Sequence, residues 1–247
     1  MIEAGIVTVF IAALITALAT GLGALPFWFT PRMNRRWLGI SNAAAAGLMI
    51  AASFSLIVEG NAYSETRTIL GILLGIAFIA LCHKALEGRE DVDVGALRGA
   101  DAVKAIMIVG IMTLHSAAEG IGVGVSFGGG ETLGTFITAA IAVHNVPEGL
   151  AISLVLVPRG ASVLQAAGWS VISSLPQPLM AVPAFLFVTV FAPVLPLGLG
   201  LAAGAMIWMT LAELIPDALD DASKETVAAT VTGAVAAMLA FQALLKP

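Results

Sequence analysis

The sequence predicts an all-α integral membrane protein, built as a bundle of eight transmembrane helices. Of its 247 residues, 59% are hydrophobic and 11% are charged, and the apolar residues form runs of about 20, the length that crosses a bilayer core. A soluble domain carries about 25% charged residues, so this chain has too little polar surface to face water. We expect a single transmembrane domain over residues 1–247, because the connections between the runs are short.

The predicted spans, numbered one to eight, follow from these apolar runs. They cover residues 4–26, 41–60, 67–86, 102–126, 131–157, 161–187, 191–216 and 226–245. No basic segment precedes the first run, so we interpret it as a spanning helix and not as a cleaved signal. Spans six and seven contain several prolines, which membrane helices tolerate where neighbouring groups satisfy the freed carbonyls.

The charged residues orient the bundle and exclude some classes of protein. The first, third, fifth and seventh connections carry nine of the 11 Lys and Arg residues, and the positive-inside rule then places both termini outside the cytoplasm. The sequence does not specify which membrane. The acidic excess, 16 Asp and Glu residues against 11 Lys and Arg residues, argues against nucleic-acid binding. The single cysteine, Cys82, excludes an internal disulfide and a cysteine-based metal cluster.

Two short polar motifs interrupt spans four and five. The first is HSAAEG, from His115 to Gly120, and the second is HNVPEG, from His144 to Gly149. Each motif places a histidine and a glutamate four residues apart, which puts both side chains on one face of a helix. An imidazole and a carboxylate that converge in this way supply half of a divalent-metal site. Two such pairs on neighbouring helices would complete one.

The depth of the two motifs follows from the glycine run that separates them. Residues 128–130 are all glycine, which predicts that one helix ends and the chain reverses there. His115 lies 12 residues before Phe127 and His144 lies 13 residues after Glu131, so both lie about 18–20 Å from this turn. That level is near the middle of a bilayer core about 30 Å thick.

These polar pairs have two possible interpretations. A single ionisable residue at such depth is best explained as a structural group that bridges helices. Ionisable groups inside a membrane are costly, however, and normally mark a substrate or ion path. Two matched pairs at one depth favour the ion path.

The paired motifs resemble those of the Zrt/Irt-like protein (ZIP) family of divalent metal transporters, most closely its GufA-like branch. Two further segments support the resemblance, which extends from about Ala43 to the C-terminus: AAGLMIAAS (Ala45 to Ser53) and AAGAMIWMTLAELIPDA (Ala202 to Ala218). The resemblance implies eight helices, extracytoplasmic termini and a metal site between helices four and five. It also implies a carrier, not an enzyme, that moves zinc, or iron, manganese or cadmium, towards the cytoplasm as its substrate.

Carried over residue by residue, the resemblance implies a main metal site. His115 and Glu119 of span four and Glu148 of span five would ligate the metal, and His144 occupies a position that faces the metal in the family. Met49 in span two matches a methionine at the same site. An ordinary core methionine is an equally good interpretation of Met49.

Two further sites are implied beside the main one. Ser116 and Asn145 match a second site, but some relatives carry Asp where this chain has Asn145 and Glu where it has Gln177. The carboxylates that a second cation would need are therefore amides. Towards the cytoplasm, His83 and Glu213 resemble an exit site, although a satisfied interfacial histidine is the better interpretation of His83 alone.

Other functions remain open at this stage. No nucleotide-binding G-x-x-x-x-G-K-[ST] motif occurs, so transport would follow a gradient. An intramembrane metal-dependent hydrolase is one alternative, but the order H-x-x-x-E supplies ligands and no spare general base. The other is a proton-coupled carrier in which Glu119 and Glu148 relay protons without metal. Relatives in the family are thought to form dimers, but no surface in the sequence argues for a homodimer.

Overall fold

The computed structural model describes residues 2–30, 34–86, 93–94, 97–98, 100–128 and 130–245. Within these ranges the chain is almost entirely helical. The α-helices are α1 (Ile2–Gly21), α2 (Leu25–Phe29), α3 (Arg35–Leu86), α4 (Ala100–Gly128), α5 (Glu131–Leu156), α6 (Val163–Ser174), α7 (Pro176–Leu186), α8 (Val188–Phe191), α9 (Leu195–Met209), α10 (Ile215–Asp221) and α11 (Lys224–Leu245). A 3₁₀ turn, Leu22–Ala24, joins α1 to α2, and a π-helix, Thr210–Leu214, joins α9 to α10.

Two short strands accompany the helices of this all-α fold. The strands β1 (Asp93–Val94) and β2 (Leu97–Arg98) pair antiparallel, with Asp93 opposite Arg98. They lie in the mixed-charge connection that precedes α4, where no apolar run demands a helix. A two-residue ladder satisfies backbone groups there.

Spans two and three, which the sequence predicts as separate helices, follow one another within α3 and are separated by a kink at Ser64. The connection between them is a single residue, Ser64, which has an extended backbone (φ −167°, ψ 107°) inside α3. The amide of Arg67 donates to Ser64 Oγ at 3.4 Å, an N-cap contact that starts the second half of α3. The polar residues that the sequence predicts as a loop are therefore helical on both sides of a single kink.

Prolines divide the predicted sixth and seventh spans. Pro176 and Pro178 have no N–H, so α6 ends at Ser174 and α7 begins after Leu175. Pro216 acts in the same way at the end of α9. The amide of Ile215 donates to Thr210 O, five residues back, and the helix widens to the π form just before the proline.

In the described part of the chain, six helical segments are long and apolar enough to cross a membrane. They cover Gly5–Phe29, Arg35–Leu81, Ala105–Gly128, Glu131–Leu156, Leu195–Asp221 and Lys224–Leu244. The second has 47 residues, roughly twice the length that one crossing needs. The protein is therefore a multi-pass membrane protein by the length and composition of its helices.

The two motif-bearing helices lie in the interior of the bundle. α4 packs against α5, α7 and α9, while α5 packs against α1 and α6 as well as α4. Among the six apolar segments, α5 is the most buried and α11 the least. The fold thus encloses α4 and α5 and leaves α11 on the outside of the bundle.

Candidate metal centre

Four ionisable side chains meet between α4 and α5. His115 and Glu119 project from α4, and His144 and Glu148 project from α5. The solvent-exposed fraction of each residue is between 0% and 7%, and His144 is the most exposed. One ligand atom from each of the four lies within 4.8 Å of the others. The predicted convergence of the two H-x-x-x-E pairs is therefore what the structure contains.

Each carboxylate approaches both imidazoles. Glu119 Oε1 lies 3.3 Å from His115 Nε2 and 3.3 Å from His144 Nδ1. Glu148 Oε1 lies 2.6 Å from His115 Nε2 and 3.4 Å from His144 Nε2. Four ligands at about 2.0–2.1 Å from a tetrahedral Zn²⁺ are separated by about 3.3–3.4 Å. The two 3.3 Å separations of Glu119 Oε1, from His115 Nε2 and from His144 Nδ1, fit that geometry. The pair formed by His115 and Glu148 would need to open. The contact of Glu148 with His144 involves Nε2, which cannot ligate the same ion as Nδ1 of the same ring.

Several atoms of this cluster have no hydrogen-bond partner. The short separations do not have donor–acceptor geometry, and the unsatisfied buried atoms include His115 Nδ1 and Nε2, Glu119 Oε1, His144 Nε2 and both carboxylate oxygens of Glu148. A buried polar atom left unbonded costs about 1–3 kcal/mol, and more when it is charged. Atoms of this kind that face one another are the donor set that a divalent cation satisfies, because imidazole and carboxylate both suit zinc.

A neutral polar network lies beside the cluster and contacts it through one glutamate. Gln177 Nε2 donates to Glu119 Oε2 at 2.5 Å. Gln177 Oε1 accepts from Thr16 Oγ1 at 2.6 Å and from Asn145 Nδ2 at 3.1 Å. Asn145 Nδ2 also donates to the carbonyl of Thr16 at 2.8 Å. These donors determine which end of the Gln177 amide faces Glu119, and they leave Glu119 Oε1 directed at the histidines.

The residues of the predicted second site are all fully buried. Asn145 and Gln177 belong to the network described above, whereas the Ser116 hydroxyl has no partner. Asn145 Oδ1 is likewise unbonded. Two neutral oxygens are thus available next to the charged cluster, with no carboxylate among them.

Two glycines allow neighbouring helices to pack closely against α4 and α5. In each motif a glycine follows the glutamate, and a Cβ at either position would overlap the neighbouring backbone. At Gly120 that backbone belongs to Gln177, and at Gly149 it belongs to Thr20. The glycines therefore let α7 bring Gln177 against Glu119, and let α1 cross α5 beside Glu148.

The remaining predicted ligands lie elsewhere or outside the described part. Met49 is fully buried in the main hydrophobic core, and its ligation stays a prediction. Glu213 lies in the π-helix, partly buried, and lines a cavity of about 20 Å³ with Met107 and Ile111. The side chain of His83 lies outside the described residues, so the predicted pairing of His83 with Glu213 at an exit site is not tested.

Two residues beside this centre were missed by the sequence. Thr16 carries no signal, since a threonine in an apolar run is common. Glu59 did carry one: it is the only charged residue in the predicted second span, 41–60. It lines a cavity that also contains His144.

Together, the apolar helices and the buried His/Glu cluster define a multi-pass membrane protein with a candidate cation centre. A family model described as ZIP Zinc transporter matches residues 82–242. The chain belongs to this ZIP family, whose members are carriers and not enzymes. The resemblance predicted from the paired motifs is confirmed.

Individual relatives extend the match over most of the chain. A candidate zinc transporter of Arabidopsis thaliana is 51% identical over 242 residues, which is 97% of this chain but only 39% of that protein. Zinc transporter GufA of Myxococcus xanthus is 31% identical over 84% of this chain and 87% of its own length. Zinc transporter ZIPB of Bordetella bronchiseptica is 30% identical over 81% of this chain and 69% of its own length.

Proposed function

We propose that this protein carries divalent cations, zinc foremost, across a membrane towards the cytoplasm without ATP. The ligand set is His115, Glu119, His144 and Glu148. One observation carries the proposal: four buried imidazole and carboxylate atoms within 4.8 Å of one another, several of them without a hydrogen-bond partner. The names of the relatives, all zinc transporters, support zinc as the substrate.

The charges of this centre suit a cargo that must enter and leave. Two carboxylates offset one divalent cation, so the loaded centre is close to neutral in a low-dielectric interior. Neutral imidazoles complete the shell without adding charge, provided that they are deprotonated. Carboxylates and imidazoles also release zinc more readily than thiolates do. Pro147 removes a backbone donor inside α5, one residue before Glu148, which loosens the helix where the site must open and close.

We further propose eight membrane crossings within one transmembrane domain, with both termini outside the cytoplasm. The kink at Ser64 divides α3 into two crossings, and α6 with α7 forms a broken crossing besides the other apolar segments. The basic residues of the odd-numbered connections support this orientation. Ser116, Asn145 and Gln177 form a neutral way-station beside the centre, and a homodimer stays a prediction from the family resemblance.

Zinc uptake into proteoliposomes tests the proposed function. A zinc-sensitive dye inside the vesicles reports transport, and the same preparation is assayed for hydrolysis of lipid or peptide and for proton flux without metal. The wild-type protein should take up zinc and show neither other activity. Proton flux in the absence of metal would favour the proton-carrier alternative instead.

Removing one ligand charge at a time tests the centre itself. Glu119→Gln or Glu148→Gln should reduce uptake to the level of empty vesicles, because each removes a ligand and half of the compensating charge. The matched control is Glu131→Gln, a carboxylate exposed at the start of α5, which should behave as wild type. Near-normal uptake in either centre variant would refute the assigned ligand set.

A further inference from the structure

A cavity with a few polar side chains in an apolar wall lies on one side of the centre, towards the α4–α5 turn. It has a volume of about 70 Å³ and is enclosed by α3, α5 and α11. On α5 its wall runs from Ile137 to His144, which is the nearer of the two α5 ligands to the turn. His144 is also the most exposed of the four ligands, at 7% against 0–1% for the others. The cavity therefore opens onto the one ligand that is not fully enclosed.

Among the described residues that line this cavity, Glu59 is the only acidic one. Two other polar side chains there satisfy one another, since Ser55 Oγ donates to Gln242 Oε1 at 2.9 Å. Glu59, which is partly buried, has no hydrogen bond or ion pair among the residues that the structure describes. Most of the remaining wall is apolar, including Leu56, Ile141 and Phe241. A carboxylate among apolar groups, without a partner, is costly unless a ligand compensates it.

The neighbouring charges make a structural role for Glu59 unfavourable. Glu59 lines the same cavity as His144, and His144 Nδ1 lies 3.3 Å from Glu119 Oε1, so two carboxylates lie near one another with a histidine between them. A structural carboxylate would instead face a lysine, an arginine or a backbone amide. A cation between Glu59 and the centre removes the repulsion, because it attracts both carboxylates.

We propose that Glu59 forms an outer capture site, which holds a partly hydrated divalent cation before it passes to His144. This inference rests on the proposed function. The volume admits a cation with a few waters, since a water occupies about 30 Å³ in the liquid. One carboxylate and bound waters hold the ion weakly, so it can move on to the four-ligand centre. A negatively lined cleft with low-dielectric walls also raises the local cation concentration, by tenfold or more.

Zinc uptake as a function of zinc concentration tests the capture site. In proteoliposomes, Glu59→Gln should raise the half-saturating zinc concentration about tenfold and leave the maximal rate within about twofold. The control is Glu65→Gln, an exposed carboxylate six residues further along α3, which should change neither value. An unchanged half-saturating concentration in Glu59→Gln, or a fall in the maximal rate alone, would overturn the proposal.

A second variant covers the case in which Glu59→Gln fails to insert. Glu59→Asp keeps the charge but withdraws it by one methylene, and should raise the half-saturating concentration about two- to threefold. No change in Glu59→Asp would then overturn the capture site.

Equilibrium binding of zinc separates this proposal from the proposed function. In the detergent-purified variant Glu119→Gln/Glu148→Gln, dialysis against zinc should reveal one weak residual site. Adding Glu59→Gln should remove that site. Absence of the residual site, or its survival in the triple variant, would overturn the proposal without reference to transport. If wild-type vesicles took up zinc and Glu59→Gln matched them, the capture site alone would fail.

Discussion

Two groups of buried polar side chains lie side by side in this bundle and differ in how far they satisfy themselves. The charged centre consists of His115, Glu119, His144 and Glu148, and its unbonded atoms face one another. The amide network consists of Thr16, Asn145 and Gln177, and every amide or hydroxyl donor named above finds an acceptor within 3.1 Å.

This difference indicates that the charged centre binds the cation, whereas the amide network positions a group that binds it. Groups that complete their own hydrogen bonds rigidify a site, whereas groups that cannot do so are left for a ligand. The two regions meet at Glu119: Oε2 accepts from the amide network and Oε1 faces the centre. We therefore expect the amide network to act on metal binding only through this glutamate.

The largest effect on metal binding is expected when the amide network is converted into a second charged centre. Two adjacent divalent cations bring four positive charges, which Glu119 and Glu148 cannot offset in a low-dielectric site. We expect one tightly held cation at the centre of the wild-type protein. Asn145→Asp combined with Gln177→Glu should add a second and slow release.

Metal analysis of purified protein measures that stoichiometry. The single variants Asn145→Asp and Gln177→Glu are the controls, and each should retain fewer ions than the double variant. Two strongly held ions in the unmodified protein would contradict the charge argument, since water or another carboxylate would then have to supply the compensation.

Acidity should separate the two groups, because only the charged centre titrates. Protons compete with the cation for the imidazoles, so acid on the loading side weakens binding. Between about pH 7.5 and 5.5, apparent affinity should fall as the pH falls, because each proton on an imidazole must leave before that nitrogen can bind zinc. Uptake measured at several zinc concentrations and pH values checks this. A flat apparent affinity would count against histidine ligation.

Breaking the contact between the two groups should have an intermediate effect. Gln177→Met keeps the approximate volume but removes the donor to Glu119 Oε2. Loss of a hydrogen bond that orients a ligand typically lowers metal affinity about 10- to 100-fold, and we expect the low end of that range here. Equilibrium zinc binding is the measurement. Wild-type affinity in Gln177→Met would mean that Glu119 is positioned without the amide network.

A substitution at Thr16, at the far end of the amide network, should have the smallest effect on zinc affinity, and Thr138 provides a matched control. Thr16 Oγ1 bonds the carbonyl of Ala13 at 2.7 Å and also Gln177, while the Thr138 hydroxyl bonds only the carbonyl of Gly134, also at 2.7 Å. Thr16→Val should lower zinc affinity about two- to threefold through Gln177, since one neutral hydrogen bond contributes about 0.5–1.5 kcal/mol. Thr138→Val should not change it. Equal effects in both variants would show a general loss of stability.

The sequence alone determined those features that depend on local spacing. Apolar runs predict spanning helices because the bilayer demands a length, and the spacing of His115 with Glu119 fixes a shared face because a helix turns every 3.6 residues. The common depth of the two motifs followed from their equal distance to the turn near Gly130. These features depend only on the spacing of residues along the chain.

Only the tertiary structure decided the features that join distant segments. Gln177 contacts Glu119 across 58 positions and Thr16 across 161, and no local pattern indicates either contact. The same holds for the cavity that places Glu59 in reach of His144, which three helices enclose. The kink at Ser64 and the π-helix before Pro216 also depend on how carbonyls are satisfied once the helices pack. Helix length and facing residues are local properties of the backbone, whereas the choice of hydrogen-bond partner is made by the packing of helices far apart in the chain.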